Sequence, residues 1–205
     1  MTIVYRIETP RLVVRCWSPG DAPLVKSAID SSLDHLRPWM PWIAQEPQSL
    51  DEKVELLRKF RSSFDRGEDF IYGIFSKDET EVIGGTGLHT RVGPESREIG
   101  YWITSKHAHN GYAQEAAAAL TQVALKIDGR VRVEIHCSPH NEASANVPRK
   151  LGYTHEATLR ARLMHVDGTW GDRMIWTMLP SELEASPAAR VSIRCADAAG
   201  RVVAR

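Results

Sequence analysis

The spacing of hydrophobic positions divides the first third of the chain into a strand and two helices. Residues 12–14 form an apolar run typical of a buried strand. The turn at residues 18–21 precedes a short helix, and a second helix is predicted from residue 49 to about residue 65. Between these helices, two prolines in residues 36–42 exclude a regular helix because proline lacks the backbone donor.

From residue 70 onward the pattern becomes that of strands. Residues 70–75, 82–89 and 97–104 are rich in β-branched and aromatic residues and are separated by short polar turns. These three segments predict an antiparallel meander.

The most regular helix is predicted for residues 111–127, where alanine is frequent and apolar residues recur at helical spacing. A strand at residues 131–137 and a short helix at 142–151 follow, and then two strands near 153–159 and 172–179. This order of elements predicts a mixed α/β fold whose sheet is flanked by helices.

One domain accounts for residues 1–182, since 205 residues fit a single domain and we see no repeat. Residues 183–205 are rich in Ala, Ser and Arg and show no clear periodicity. We therefore predict a weakly ordered C-terminal tail.

Composition excludes several classes of function. Lys and Arg total 26, Asp and Glu total 26, and the formal net charge is zero, whereas nucleic-acid-binding proteins usually carry a basic excess. The apolar stretches fall far short of the roughly 20 residues that span a bilayer, and the first residues lack the layout of a signal peptide. We expect a cytoplasmic protein that binds neither nucleic acid nor a membrane.

The three cysteines, Cys16, Cys137 and Cys195, lie far apart and form no CxxC pair. This spacing is typical of isolated thiols, so we expect neither a disulfide framework nor a metal site.

The turn before the alanine-rich helix is a candidate anion site. Gly111 and Ala113 have little side chain, so an anion can approach the free N–H groups of the helix N-terminus. Lys106, His107 and His109 precede the helix and add positive charge. The pattern suits a pyrophosphate, although an ordinary strand-to-helix turn would look the same locally.

A second polar segment follows the next strand. Asn141 is a good helix cap, and Ser144 lies in the first turn of the predicted helix. Each residue taken alone has a purely structural interpretation, as a cap and as a surface hydroxyl.

Taken together, these segments resemble the GNAT acetyltransferases, and in particular the RimJ/RimL-like branch that acetylates N-terminal amines. The resemblance covers about residues 5–180 and implies a GNAT-like mixed, mostly antiparallel sheet flanked by helices. It implies acetyl-CoA as co-substrate and no metal. The matching segments are residues 8–15, 36–42, 98–102, 111–116, 141–153 and 168–172.

The resemblance also implies a role for individual residues. Ser144 would protonate the departing thiolate, and Asn141 would hold the pantetheine arm. Backbone N–H groups of residues 99–103 would pair with the pantetheine amides. The implied cofactor-binding residues are Ile99, Tyr101, Trp102, Ile103, Lys106, His107, His109, Asn110, Gly111, Tyr112, Ala113, Asn141 and Ser144.

Transfer from a thioester to an amine requires removal of a proton from the amine. Glu98 is the first candidate base, acting directly or through water, and Glu156 is the second; both also have structural interpretations. Trp39 and Trp42, on an irregular loop, are predicted to line the acceptor site, with packing on the core as the alternative.

Two departures from the family pattern affect the predicted site. Ala108 stands where the family usually has Arg or Gln in the pyrophosphate loop. Pro148 lies inside the predicted helix at 142–151, where it removes a donor for the carbonyl of Ser144, so we expect a kink or a short helix.

The resemblance to the RimJ/RimL-like branch implies a peptide or protein N-terminal amine as the acceptor. Such an α-amine has a pKa near ~8 against ~10.4 for lysine, so it needs less help from a base. A small-molecule amine, such as an antibiotic or a metabolite, is the alternative acceptor. A weakly catalytic acetyl-CoA-binding module is a third possibility. The sequence is compatible with a monomer or a homodimer.

Overall fold

A computed structural model describes residues 3–165 and 167–204 and places ten strands in one mixed sheet. Their order across the sheet is β10-β9-β1-β2-β3-β4-β5-β6-β8-β7, and among the described pairs only β5 and β6 are parallel. The strands are β1 (Arg6–Glu8), β2 (Val13–Cys16), β3 (Phe70–Phe75), β4 (Val82–His89), β5 (Ser96–Ile103), β6 (Arg132–Cys137), β7 (Thr154–Met164), β8 (Trp170–Met178), β9 (Arg194–Ala196) and β10 (Val202–Ala204).

Six α-helices join these strands in the described parts of the chain. They are α1 (Ala22–Asp30), α2 (Leu33–Leu36), α3 (Leu50–Asp65), α4 (Tyr112–Gln122), α5 (Glu142–Leu151) and α6 (Pro180–Leu183). None of the described helices is long and apolar enough to cross a membrane.

The sheet carries an apolar core on each face. Val13 and Val14 are neighbours on β2 but belong to different clusters, because successive strand residues point to opposite faces. One cluster contains α4 and α5, and the other contains α1 and Leu57 of α3. The two sets of helices therefore cover opposite faces.

Local sequence explains where the two best-defined helices begin and how they pack. Ser49 caps α3 through a reciprocal pair of hydrogen bonds with Glu52, of 2.7 and 3.2 Å. The alanine side chains at residues 116–119 of α4 are fully buried, which brings this helix close to the sheet. A π-helical segment, Val123–Ile127, then continues α4.

A gap opens in the sheet between the two parallel strands. Their pairing ends at Ile99 and Ile135, although β5 continues to Ile103 and β6 to Cys137. Beyond Ile99 and Ile135, the described parts of the two strands do not pair with each other. Helix α5 begins shortly after the end of β6.

The C-terminal segment differs from the weakly ordered tail that we predicted beyond residue 182. β9 pairs with β1 and β10 with β9, and Ala188 and Cys195 are fully buried. Gln122 also donates to the carbonyl of Ala188 at 3.0 Å. The prediction was wrong because the partner strand β1 lies far away in the sequence and the short β9 has no periodicity of its own.

Candidate active site

A continuous cavity of about 800 Å³ passes through the gap between β5 and β6. Tyr101 and Cys137 contribute from the α4/α5 face of the sheet, whereas Trp42 and Trp102 contribute from the opposite face. The cavity therefore connects the two faces. Among the residues implied for cofactor binding, those that line it are Ile99, Tyr101, Trp102, Asn141 and Ser144.

On the α5 side, a small hydrogen-bond network surrounds Ser144. The side chain of Asn141 accepts a hydrogen bond from the backbone N–H of Ser144 at 3.0 Å and so caps α5. The hydroxyl oxygen of Tyr101 lies 3.2 Å from Ser144 Oγ. Burial raises the pKa of Tyr101, so its hydroxyl keeps its proton.

Pro148 explains why Tyr101 also reaches the backbone of α5. The helix runs through Pro148 from Glu142 to Leu151, and residue 148 has no N–H to donate to the carbonyl of Ser144. The Tyr101 hydroxyl donates to that carbonyl instead, at 3.0 Å.

The turn before α4 presents backbone N–H groups at the helix N-terminus. Gly111 caps α4 with a φ of +78°, in the left-handed region that favours glycine. The other residues implied for cofactor binding lie between the end of β5 and the first turn of α4, and they are not among the described residues that line the cavity. They are Ile103, Lys106, His107, His109, Asn110, Gly111, Tyr112 and Ala113.

Two of the cations predicted at this turn contact a carboxylate. Lys106 Nζ lies 2.6 Å from Glu81 Oε1, and His107 Nε2 lies 3.1 Å from the same oxygen. The charge of Lys106 is therefore partly neutralised before any anion binds.

Arg11 supplies a cation that the sequence analysis missed. Its Nη1 donates to the carbonyl of Asn110 at 2.9 Å, and its Nε donates to Glu115 Oε2 at 2.6 Å. The guanidinium also lies 4.7 Å from the ring centroid of Tyr112. Half of the side chain is exposed at the start of α4. The only sign of this contact in the sequence was Glu115, an acidic residue in the first turn of α4.

The opposite side of the cavity is rich in tryptophan. Trp39 and Trp42 both line it, and the rings of Trp42 and Trp102 meet edge to face at 5.9 Å. Gly85 makes room for Trp102, because a Cβ there would lie 2.5 Å from the indole nitrogen. A buried ion pair between Lys53 and Glu46 also lines this side, and the sequence analysis did not single it out.

The two predicted bases lie in different environments. Glu98 is buried in the cavity wall, and both its oxygens accept hydrogen bonds from Arg91, at 2.7 and 2.5 Å. Burial opposes its ionisation, but the hydrogen bonds from Arg91 outweigh this and lower the pKa of Glu98. Glu156 is exposed on β7 and is not among the described residues that line the cavity, so the structure does not bring it to this site.

A protein-family model described as an acetyltransferase (GNAT) domain matches residues 11–154. The chain belongs to the GNAT acetyltransferase family. The predicted family is thereby confirmed, and the match includes β5, the turn before α4 and all of α5.

Relatives of this GNAT acetyltransferase include proteins named as N-acetyltransferases. The [ribosomal protein uS5]-alanine N-acetyltransferase of Escherichia coli (strain K12) is 26% identical over 175 residues, which cover 83% of this chain and 88% of the relative. The uncharacterized N-acetyltransferase YoaA of Bacillus subtilis (strain 168) is 25% identical over 174 residues, or 84% and 96% of the two chains.

Solved structures confirm the predicted fold of this acetyltransferase. Mycobacterium smegmatis RimJ in complex with CoA-disulfide superposes with a TM-score of 0.79 at 24% identity, over 91% of each chain. RimL, a ribosomal L7/L12 α-N-protein acetyltransferase in complex with coenzyme A, gives a TM-score of 0.74 at 20% identity, over 83% of this chain and 95% of that one. The mostly antiparallel sheet flanked by helices is thus the GNAT fold.

Proposed function

We propose that this GNAT acetyltransferase transfers an acetyl group from acetyl-CoA to the N-terminal amine of a peptide or protein. One observation carries the proposal: a single cavity passes through the gap between β5 and β6 and joins Ser144 on one face to the tryptophans on the other. Such a passage suits a reaction in which two substrates meet end to end. The E. coli relative, named for the alanine of a ribosomal protein, supports the choice of acceptor.

The donor half of the site fits acetyl-CoA. The free N–H groups at the start of α4 and the guanidinium of Arg11 would bind the pyrophosphate. The unpaired edge of β5 beyond Ile99 would run beside the pantetheine arm. The main-chain polar groups along this edge are suited to its amides.

Ser144 would serve as the proton donor to the departing thiolate. Its hydroxyl lies in the cavity wall beside the Tyr101 hydroxyl. Burial raises the pKa of the nearby Cys137 thiol, against the opposing effect of hydrogen bonds with Ser144 and Trp176, so the thiol stays protonated. A protonated thiol is a poor nucleophile, which favours direct transfer to the amine over an acyl-cysteine intermediate.

The acceptor half would take the amine from the tryptophan side of the sheet. Trp39, Trp42 and Trp102 offer apolar surface to the first side chains of a peptide. Glu98 remains one candidate for the group that receives the proton of the amine.

The proposal is tested by thiol release from acetyl-CoA with three sets of acceptors. These are peptides with free N-termini, the same peptides with blocked N-termini and a free lysine, and small polyamines or aminoglycosides. We expect release with free N-termini only, and mass spectrometry should locate the acetyl group on the α-amine. The variant Ser144→Ala should lower kcat by about 100-fold or more, the range for loss of a general acid.

Other outcomes lead to different conclusions. Preferred turnover of small amines would contradict the peptide acceptor but keep the acetyl transfer. Binding of acetyl-CoA without thiol release from any acceptor would contradict the transfer reaction itself and identify a binding module.

A further inference from the structure

Acetyl transfer needs a group that takes a proton from the amine, and the following inference rests on the proposed function. Glu98 is a weak base for this role, because Arg91 donates to both its oxygens and lowers its pKa by stabilising the carboxylate. A side chain with a free lone pair in the cavity wall would serve better.

His136 has such a lone pair. Its Nε2 lies 2.6 Å from Glu134 Oε2. Because a carboxylate only accepts hydrogen bonds, Nε2 carries the proton of the neutral ring and the lone pair is left on Nδ1. Nδ1 is buried and has no hydrogen-bond partner among the described residues.

The position of His136 places this nitrogen at the gap in the sheet. His136 follows Ile135, the last residue of β6 that pairs with β5. It lines the cavity together with Gly100 and Tyr101 of β5 and with Ser144. The side chain is thus in the wall of the passage where donor and acceptor would meet.

We propose that His136 accepts the proton of the amine and that Glu134 is the positioning residue that holds its ring. Glu134 is itself held by Arg132, whose Nε donates to Glu134 Oε1 at 2.6 Å. Nδ1 is closed to solvent and Glu98 Oε2 lies 3.5 Å from it, so Glu98 would pass the proton of the amine on to Nδ1.

Two carboxylates flank the ring, Glu134 at Nε2 and Glu98 at Nδ1. Each carboxylate is paired with one guanidinium, which balances the charges while the ring is neutral. The ring contacts Glu134 on β6 and Glu98 on β5, which are paired with Arg132 on β6 and with Arg91 in the β4–β5 turn. His89 on β4, which contacts Asp69, and Arg173 on β8 line the same cavity.

The proton balance of the step is complete without another reactant. The acceptor enters as an ammonium and gives one proton to His136 Nδ1 by way of Glu98 Oε2. Its nitrogen attacks the thioester carbonyl carbon, a C–N bond forms, and the C–S bond breaks with its electron pair on sulfur. Ser144 gives its hydroxyl proton to the thiolate and regains one from the acetylated nitrogen. The amide and the free thiol leave, and His136 releases its proton to solvent.

The test measures kcat/KM of the full chain and of His136→Gln between pH 6 and pH 9, with the peptide that the unmodified chain turns over best. His136→Gln should lower kcat/KM by about 100-fold at pH 7, as expected for loss of a general base. The loss should shrink above about pH 8, where an α-amine loses its proton unaided. Glu134→Gln should lower kcat but leave KM unchanged, because a glutamine amide can donate to Nε2 and favour the other tautomer.

Controls separate this role from a structural one. His155→Gln should match the unmodified chain, since His155 is exposed on β7 and does not line the cavity. Nitrogen NMR of the histidine rings in the unmodified chain should find His136 protonated on Nε2.

Three results would overturn the assignment alone: full activity of His136→Gln, an Nδ1-protonated ring, or a pH-dependent loss seen with Glu98→Gln but not with His136→Gln. Absence of turnover by the unmodified chain with any amine would instead overturn the proposed function, and this role with it.

Discussion

At the scale of single residues, Tyr101 links the backbone of α5 to the reacting end of the cavity. Its hydroxyl completes the hydrogen bonding of the Ser144 carbonyl, which Pro148 leaves without a helical donor. The same hydroxyl lies next to Ser144 Oγ. A single side chain thus satisfies the helix and orients the proposed proton donor.

This arrangement predicts a coupling between Tyr101 and Pro148. Tyr101→Phe leaves the Ser144 carbonyl unpaired and should lower the free energy of unfolding by about 1–3 kcal/mol. In a Pro148→Ala background the helix regains its N–H at residue 148. Tyr101→Phe should then lower the free energy of unfolding by a smaller amount. A double-mutant cycle from urea unfolding measures the difference. An equal decrease in the free energy of unfolding in both backgrounds would show that the Tyr101 hydroxyl does not replace the helical donor.

Sequence reasoning singled out those residues of the proposed site that belong to local motifs. Asn141 and Ser144 lie in one helical turn, and Gly111 begins a helix whose composition is evident. His136 was missed because its role depends on which face of β6 it occupies and on where pairing with β5 ends. Arg11 was missed because its partner Glu115 lies 104 residues away.

At the scale of elements, the start of α4 combines three features that favour an anion. Gly111 gives the cap its left-handed conformation, the first N–H groups are free, and Arg11 lies against the turn. The family's usual Arg or Gln is replaced by Ala108 in this turn. Although it is paired with Glu115, Arg11 would supply positive charge that this position no longer contributes.

The role of Arg11 is tested with two acetyl donors. Arg11→Gln should raise KM for acetyl-CoA by about tenfold, since a charge-assisted hydrogen bond contributes about 1.5–3 kcal/mol. It should leave KM for S-acetylpantetheine unchanged, because that donor lacks the pyrophosphate. An equal rise in KM for both donors would mean that Arg11 acts through the structure of the turn.

The helices and central strands were predictable because their signals are local. The capping residue Ser49, the alanines of α4 and the alternating strands from residue 70 all depend on neighbours within a few positions. The gap between β5 and β6 and the pairing of β9 with β1 depend instead on contacts between distant segments. No local pattern carries that information, which is why the tail prediction failed.

At the scale of the whole molecule, the sheet separates the two halves of the site. Tyr101 packs with the α4 and α5 core, whereas its neighbour Trp102 packs with the core that contains α1. The cavity crosses between these faces only where β5 and β6 stop pairing. We therefore infer that donor and acceptor approach from opposite faces and meet in the gap.

The most direct test is the affinity for a conjugate in which CoA is joined through an acetyl bridge to the N-terminal nitrogen of a peptide acceptor. If both halves of the cavity are used at once, the conjugate should bind at least about 100-fold more tightly than CoA, as expected for a compound that resembles the transition state. A control conjugate, joined through a lysine side chain of the same peptide with its N-terminus blocked, should bind no more tightly than CoA. Equal affinities for the first conjugate and for CoA would contradict a meeting of the substrates in the gap.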